Sequence, residues 1–131
     1  MGIREEAIRL HESGFNCAQS VLCACGKYTG LNDDTALALS AGFGGGVRCG
    51  EICGAISGAV MAIGMAYPFA DESDTKAKER IAALTRECTG RFENEYGCVR
   101  CCELKASGYS CAALIEYAAA LAEDIINVNK K

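Results

Sequence analysis

The sequence predicts an all-α protein, a single-domain bundle of five to six helices with a glycine-rich loop. Large apolar residues recur at helical spacing, and the alternation of Val, Ile and Thr that is typical of strands is absent. The chain has one proline, so little interrupts a helix. Its 131 residues suit one domain, and no linker or repeat divides them. We therefore expect one helical domain over residues 1–131.

The first half of the chain is expected to hold four helices. The first is predicted over residues 3–12 and the second over about residues 16–27. A third begins after the capping residues 32–34 and ends in the glycine-rich loop 42–46, where the backbone has unusual freedom. The fourth is the uncharged run from residue 51 to about residue 67.

The second half begins with a helix near Asp74, which buries Leu84 and Cys88. A turn or short helix follows over residues 98–104. The last helix begins at Ser110, and Cys111 heads its apolar stripe. Each of these segments shows the helical period rather than the strand period.

Charge and hydropathy argue against two classes of partner. The formal net charge of −4 is unsuited to nucleic acid, which requires basic surface. Residues 52–70 carry no charge, but Gly, Ala and Ser dominate them, so we expect no membrane span.

Small residues recur every fourth position in this run, at Gly54, Gly58 and Ala62. They form a smooth strip that another backbone could approach. This strip and the exposed-looking final helix make a homodimer plausible.

Cysteine is the unusual feature of the composition. The ten cysteines are Cys17, Cys23, Cys25, Cys49, Cys53, Cys88, Cys98, Cys101, Cys102 and Cys111. In a short secreted chain this density would indicate a disulfide scaffold. Residues 1–6 lack the basic and apolar regions of a secretory signal, so we expect a cytoplasmic protein. There, clustered cysteines bind metal or undergo redox cycling.

Three cysteines from distant parts of the chain share one structural setting. Cys17, Cys53 and Cys111 each lie on the apolar side of a predicted helix, near its N-terminus. The free N–H groups and the positive dipole end of a helix N-terminus stabilise a thiolate. Thiolate is the form that binds metal or attacks a disulfide.

Two local motifs add further candidate residues. Cys49 and Cys53 would lie one helical turn apart, a spacing that permits a shared metal or a redox pair. Cys98, Cys101 and Cys102 form a CxxC motif with an adjacent cysteine, and Cys111 follows nine residues later. A zinc ribbon would need a second CxxC, which is missing.

Acid–base catalysis has little support in the sequence. His11 is the one histidine and lies on a charged helix, so no Cys–His or Ser–His–Asp arrangement can be built. The glycine loop lacks the preceding strand and the Lys-Ser/Thr of a P-loop. If the protein is an enzyme, an oxidoreductase is the class that its cysteines favour.

Several segments, taken in order, resemble the C-GCAxxG-C-C family of redox-active proteins, which is related to the non-haem domain of split-Soret-type cytochromes. The matching segments are residues 15–22, 44–46, 53–59, 92–97 and 102–104, followed by Cys111. They cover about residues 15–125. The resemblance implies an all-helical redox domain whose signature cysteines are Cys17, Cys53, Cys102 and Cys111. It also suggests an iron–sulfur centre, although the CxxCH of haem attachment is absent.

Three functions stay open at this point. The leading one is electron transfer by an iron–sulfur cluster, two-iron two-sulfur or larger, held by Cys53, Cys102 and Cys111 with Cys17 or Cys49. The second is cofactor-free thiol–disulfide exchange with a redox partner protein through Cys98/Cys101 or Cys102/Cys111. The third is a structural or storage site for zinc or another soft metal.

Overall fold

The computed structural model describes residues 2–129 and confirms the all-α fold class. Its helices are α1 (Ile3–Glu12), α2 (Cys17–Ala24), α3 (Gly26–Thr29), α4 (Asp33–Ser40), α5 (Gly54–Ala66), α6 (Thr75–Tyr96), α7 (Cys101–Ala106) and α8 (Cys111–Asn129). Helices α3 and α7 are short, and the other six correspond to the five to six that the sequence predicts.

The helix boundaries follow local capping chemistry. Asn16 and Gln19 form a complete capping box at the start of α2. Asn32 caps α4 by accepting a hydrogen bond from the backbone N–H of Thr35. The predicted second helix is in fact two helices, because Cys25 leaves helical geometry and α3 begins at the following glycine.

Helix α5 occupies the centre of the bundle, between α2 and α8. A β-carbon at Gly58 would lie 2.7 Å from the backbone oxygen of Ala18 and 3.1 Å from Cβ of Val21, so only glycine allows α2 to approach this closely. Ala62 is also fully buried. The small-residue strip is thus used within the chain at Gly58 and Ala62.

The outer helices close the core around α5. Helix α1 packs on α8 and buries Ile3, Ala7 and Leu10. The long helix α6 buries three side chains along its length, Leu84, Cys88 and Phe92. Within residues 2–129, no helix is both long enough and apolar enough to cross a lipid bilayer.

A short antiparallel bridge joins the segment before α5 to the segment before α7. The backbone N–H of Cys53 donates to the oxygen of Val99 at 2.8 Å, and the N–H of Cys101 donates to the oxygen of Glu51 at 2.6 Å. The Arg100 guanidinium lies 3.0 Å from the Glu51 carboxylate on the exposed side of this bridge. The bridge therefore fixes the position of Cys53 relative to Cys101.

Candidate functional site

Four cysteines stand at the starts of four different helices. Cys17, Cys101 and Cys111 are the first residues of α2, α7 and α8. Cys53 is the residue immediately before α5. Each thiol therefore lies near the free N–H groups and the positive dipole end of its helix.

These four side chains form one group, which we call the four-thiol group. The Cys17 thiol lies near the Cys111 thiol, and Cys53 and Cys101 are also close enough for their charges to act on Cys17. Cys53 in turn interacts with Cys101 and Cys111. The fold thus brings together four cysteines that are up to 94 positions apart in the sequence, from Cys17 to Cys111.

The four-thiol group is largely withdrawn from water. Cys53 is 2% exposed and Cys101 is 8% exposed, while Cys17 and Cys111 are partly buried. Burial, followed by repulsion from Cys111 and Cys53, raises the pKa of Cys17. Burial also raises the pKa of Cys53, although the backbone N–H groups of Ala55 and Ile56 act in the opposite direction. At neutral pH Cys17 and Cys53 are therefore protonated unless a metal replaces the protons.

The other predicted site cysteines lie outside this group. Cys49 and Cys102 are exposed, and Cys98 is half-buried; together we call them the surface thiols. A β-carbon at Gly50 would be 3.0 Å from Cβ of Cys102, so Cys102 faces the 49–51 segment rather than Cys17. Cys98 is close enough to Cys102 for their charges to interact.

The three remaining cysteines are packing residues. Cys23, Cys25 and Cys88 are buried, and burial raises the pKa of Cys25 and of Cys88 to about 12. The Cys23 thiol donates to the Asp33 carboxylate at 3.5 Å. Buried thiols of this kind behave as small apolar side chains with little reactivity.

Helical phase explains why Cys101, and not its neighbour, enters the group. Leu104 is fully buried, and Cys101 lies three residues before it on the same face of α7. Cys102 lies two residues before Leu104 and therefore points away from the core. The spacing to Leu104 is a sequence signal that could have selected Cys101.

A left-handed turn leads the chain into this site. The backbone has φ near +60° at four successive residues, Gly45, Gly46, Val47 and Arg48. Residues other than glycine rarely adopt this conformation. The backbone N–H of Glu51 closes the turn by donating to the oxygen of Gly46 at 3.1 Å. A β-carbon at Gly46 would collide with the backbone of Glu51. The predicted glycine-rich loop is therefore a compact turn.

The donor chemistry of the four-thiol group suits soft metals and iron–sulfur clusters. Within residues 2–129, no three Cys, His, Asp or Glu side chains are already spaced to hold a single metal ion. A cluster of several iron and sulfide ions is larger than one ion, so its ligands lie farther apart. The donor set therefore fits a cluster in its chemistry, and the side chains would adjust on binding.

Comparison with known proteins identifies the family. A family model described as "Putative redox-active protein (C_GCAxxG_C_C)" matches residues 15–125, most of the chain. The chain belongs to this family. The match confirms the family resemblance that residues 15–22 and 53–59 predict, and it agrees with redox function at the coarse level. No curated protein and no solved structure matches the chain.

Proposed function

We propose that this member of the C_GCAxxG_C_C family is an electron-transfer protein whose four-thiol group holds an iron–sulfur cluster, two-iron two-sulfur or larger. One observation carries the proposal: four cysteines, each at the start of a different helix, lie close enough for their charges to interact, and Cys53 and Cys101 among them are buried. Four thiolates are the usual ligand set of both common cluster types. The proposed set contains Cys101 where the sequence alone predicts Cys102.

The electrostatics of the site support an anionic group. Each of the four cysteines stands at the start of a helix, and at Cys53 the backbone N–H groups of Ala55 and Ile56 favour the negative charge of a thiolate ligand. Burial raises the pKa of Cys17 and Cys53, so these residues are poor free nucleophiles but competent ligands once iron displaces the protons. Both properties favour a ligand role over direct thiolate attack.

The chain's own residues would control such a centre in three ways. Burial of Cys53 and Cys101 excludes water. The bridge between residues 51–53 and 99–101 holds these two sulfurs in register. The N–H groups of Ala55 and Ile56 favour negative charge on Cys53 and so would tune the reduction potential of a bound cluster. A bound cluster would supply reversible one-electron transfer to and from a redox partner protein.

A second candidate is thiol–disulfide exchange through Cys17 and Cys111, which the proximity of these two thiols favours. The Cys17 and Cys111 thiols lie close enough to influence each other's ionisation, whereas Cys102, the predicted partner of Cys111, is exposed and lies outside the four-thiol group. Oxidation would form the Cys17–Cys111 sulfur–sulfur bond, release two protons and pass two electrons to a partner disulfide, which would be reduced to two thiols. The raised pKa of Cys17 makes this exchange slow at neutral pH.

The decisive experiment compares neighbouring cysteines. Protein purified without oxygen is analysed for iron, acid-labile sulfide and visible absorbance. We expect Cys101→Ser to lose most of the iron and the visible bands, because it removes a buried ligand. We expect Cys102→Ser to keep both, because Cys102 is exposed and faces Gly50. Cys25→Ala is the control for loss of a buried thiol outside the group.

Each outcome separates the candidate functions. Iron retained in Cys101→Ser and lost in Cys102→Ser would overturn the proposed ligand set. Colourless wild-type protein without metal, in which Cys17 and Cys111 form a reversible disulfide, would replace the cluster with thiol exchange. Colourless protein with stoichiometric zinc would indicate the structural or storage role. We keep a cytoplasmic location and a homodimer as further proposals, testable by fractionation and light scattering.

A further inference from the structure

Asn16, immediately before Cys17, makes contacts that connect several parts of the chain. Its Oδ1 accepts a hydrogen bond from the backbone N–H of Gln19 at 3.0 Å, which caps α2. Its Nδ2 donates to the backbone oxygen of Ala41 at 2.9 Å. The first contact belongs to any good cap. The second reaches 25 residues along the chain and is not needed for capping.

The Asn16 side chain also fills the space that Gly44 leaves open. A β-carbon at Gly44 would lie 2.5 to 2.7 Å from Cγ, Nδ2 and Cβ of Asn16. Gly44 in turn lies against the start of α5, because a β-carbon at Gly54 would be 3.3 Å from Cα of Gly44 and 2.8 Å from the oxygen of Phe43. The start of α2, the 41–44 segment and the start of α5 therefore meet in one tightly packed junction.

Two ligands of the four-thiol group flank this junction. Cys17 follows Asn16 directly, and Cys53 directly precedes Gly54. A β-carbon at Gly54 would also lie 3.3 Å from the backbone nitrogen of Ala18, so the two helix starts touch. A shift at Asn16 would consequently move Cys17 relative to Cys53 and to the other sulfurs.

We infer that Asn16 is a positioning residue, which sets the place of Cys17 in the four-thiol group through its contacts with Ala41 and Gly44. The inference deepens the proposed function, on which its importance rests. Asn16 would position Cys17 in the reduced protein even when no cluster is bound. The Asn16 amide, and not merely a helix cap, is what this position requires.

Three substitutions separate positioning from capping. Asn16→Asp keeps the shape and the capping oxygen but loses the N–H donor to Ala41. Asn16→Ser also keeps a capping oxygen, and its shorter side chain does not reach Ala41. Asn32→Ala is the matched control, because Asn32 caps α4 in the same way, at 2.8 Å to the N–H of Thr35. Loss of that cap should lower the stability of the protein and leave the four-thiol group intact.

The first measurement uses reduced, metal-free protein. A short reagent that alkylates two neighbouring thiols is added, and the cross-linked Cys17–Cys111 peptide is quantified by mass spectrometry. We expect both Asn16 variants to cross-link at least about tenfold more slowly than the wild type, because close approach depends steeply on position. Asn32→Ala should cross-link at the wild-type rate. Wild-type rates in both Asn16 variants would overturn the inference.

The second measurement uses protein purified without oxygen. If iron is bound, both Asn16 variants should shift the reduction potential or the electron paramagnetic resonance spectrum, while Asn32→Ala should change neither. Unchanged spectra in both Asn16 variants would contradict positioning in the loaded protein. Absence of iron from the wild type would refute the cluster but leave the cross-linking result valid, so the two failures are distinguishable.

Discussion

At the scale of single residues, Val47 and Arg48 adopt a conformation that their side chains disfavour. Their φ angles are +59° and +62°, in the left-handed region. For residues with a β-carbon this conformation costs roughly 1–2 kcal/mol each. Val47 is also 50% exposed, so burial of its side chain contributes little stabilisation to offset this cost. The Glu51–Gly46 hydrogen bond and the packing of Gly46 on Glu51 hold the turn in place.

Val47→Gly should therefore stabilise the protein. Glycine adopts positive φ without a steric penalty, and its greater freedom in the unfolded chain offsets part of the gain. We expect the free energy of unfolding to rise by about 0.5–1 kcal/mol, with a smaller rise for Val47→Asn. Urea denaturation measures both. A loss of stability in both variants would contradict the strain at this residue.

The sequence predicts three members of the four-thiol group but not the fourth. Cys17, Cys53 and Cys111 stand at the starts of α2, α5 and α8, which are each at least eight residues long, so that apolar periodicity indicates the helical phase. Cys101 begins a helix of six residues, too short for a clear period, and its orientation depends on the bridge to Glu51. The long-range pairing has no local sequence signal, and the spacing of Cys101 to the buried Leu104 is the one local hint. Family resemblance alone therefore selects Cys102.

At the scale of helices, α5 shows how small residues determine packing. Gly54 and Gly58 sit where α2 and the 43–44 segment approach most closely. Gly64 lies on the same helix, but a β-carbon added there would meet no atom within 4 Å beyond the local helix backbone. Glycine is therefore required for close packing at Gly58 but not at Gly64.

This contrast gives a matched pair of substitutions. Gly58→Ala should destabilise the protein by about 1–3 kcal/mol, because its β-carbon would lie 2.7 Å from the Ala18 oxygen. Gly64→Ala should stabilise it by about 0.5–1 kcal/mol, because alanine is the better helix former. Thermal or urea unfolding distinguishes the two. Equal effects from both substitutions would show that the α2–α5 contact is not tight.

The helices themselves are largely predictable, but the contacts between them are not. Apolar periodicity and capping residues locate α1, α4 and α8 close to their observed starts. The break at Cys25 is missed because no proline or cap marks it, and the glycine after Cys25 is the single local hint. The small-residue strip predicts a close approach correctly. It cannot tell whether the approaching backbone belongs to the same chain or to another.

At the scale of the whole molecule, buried thiols link stability to alkaline pH. Burial raises the pKa of Cys25 and Cys88 to about 12, from an ordinary value of 9.0. Above pH 9 the unfolded chain loses protons that the folded chain retains, so stability must fall as the pH rises from 9 toward 12. At neutral pH these two thiols contribute no pH dependence, because both states are protonated.

The expected loss is up to about 1.4 kcal/mol per pH unit for each such thiol. Urea unfolding of reduced protein at about pH 8 and about pH 10 measures it. Because tyrosine and lysine also titrate in this range, the comparison is with a Cys25→Ala/Cys88→Ala double variant. The double variant should lose less stability between the two pH values. An equal loss in both proteins would show that these thiols are not the cause.

The origin of the four sulfurs also dictates an order of events in folding. They come from residues 17, 53, 101 and 111, so most of the sequence must collapse before the last sulfur joins the others. Contacts between such distant segments carry a high loop-closure cost and form late. A ribosome-bound chain that lacks α8 therefore has no complete site. The four-thiol group can therefore assemble only after the chain from α2 to α8 has been synthesised and has folded.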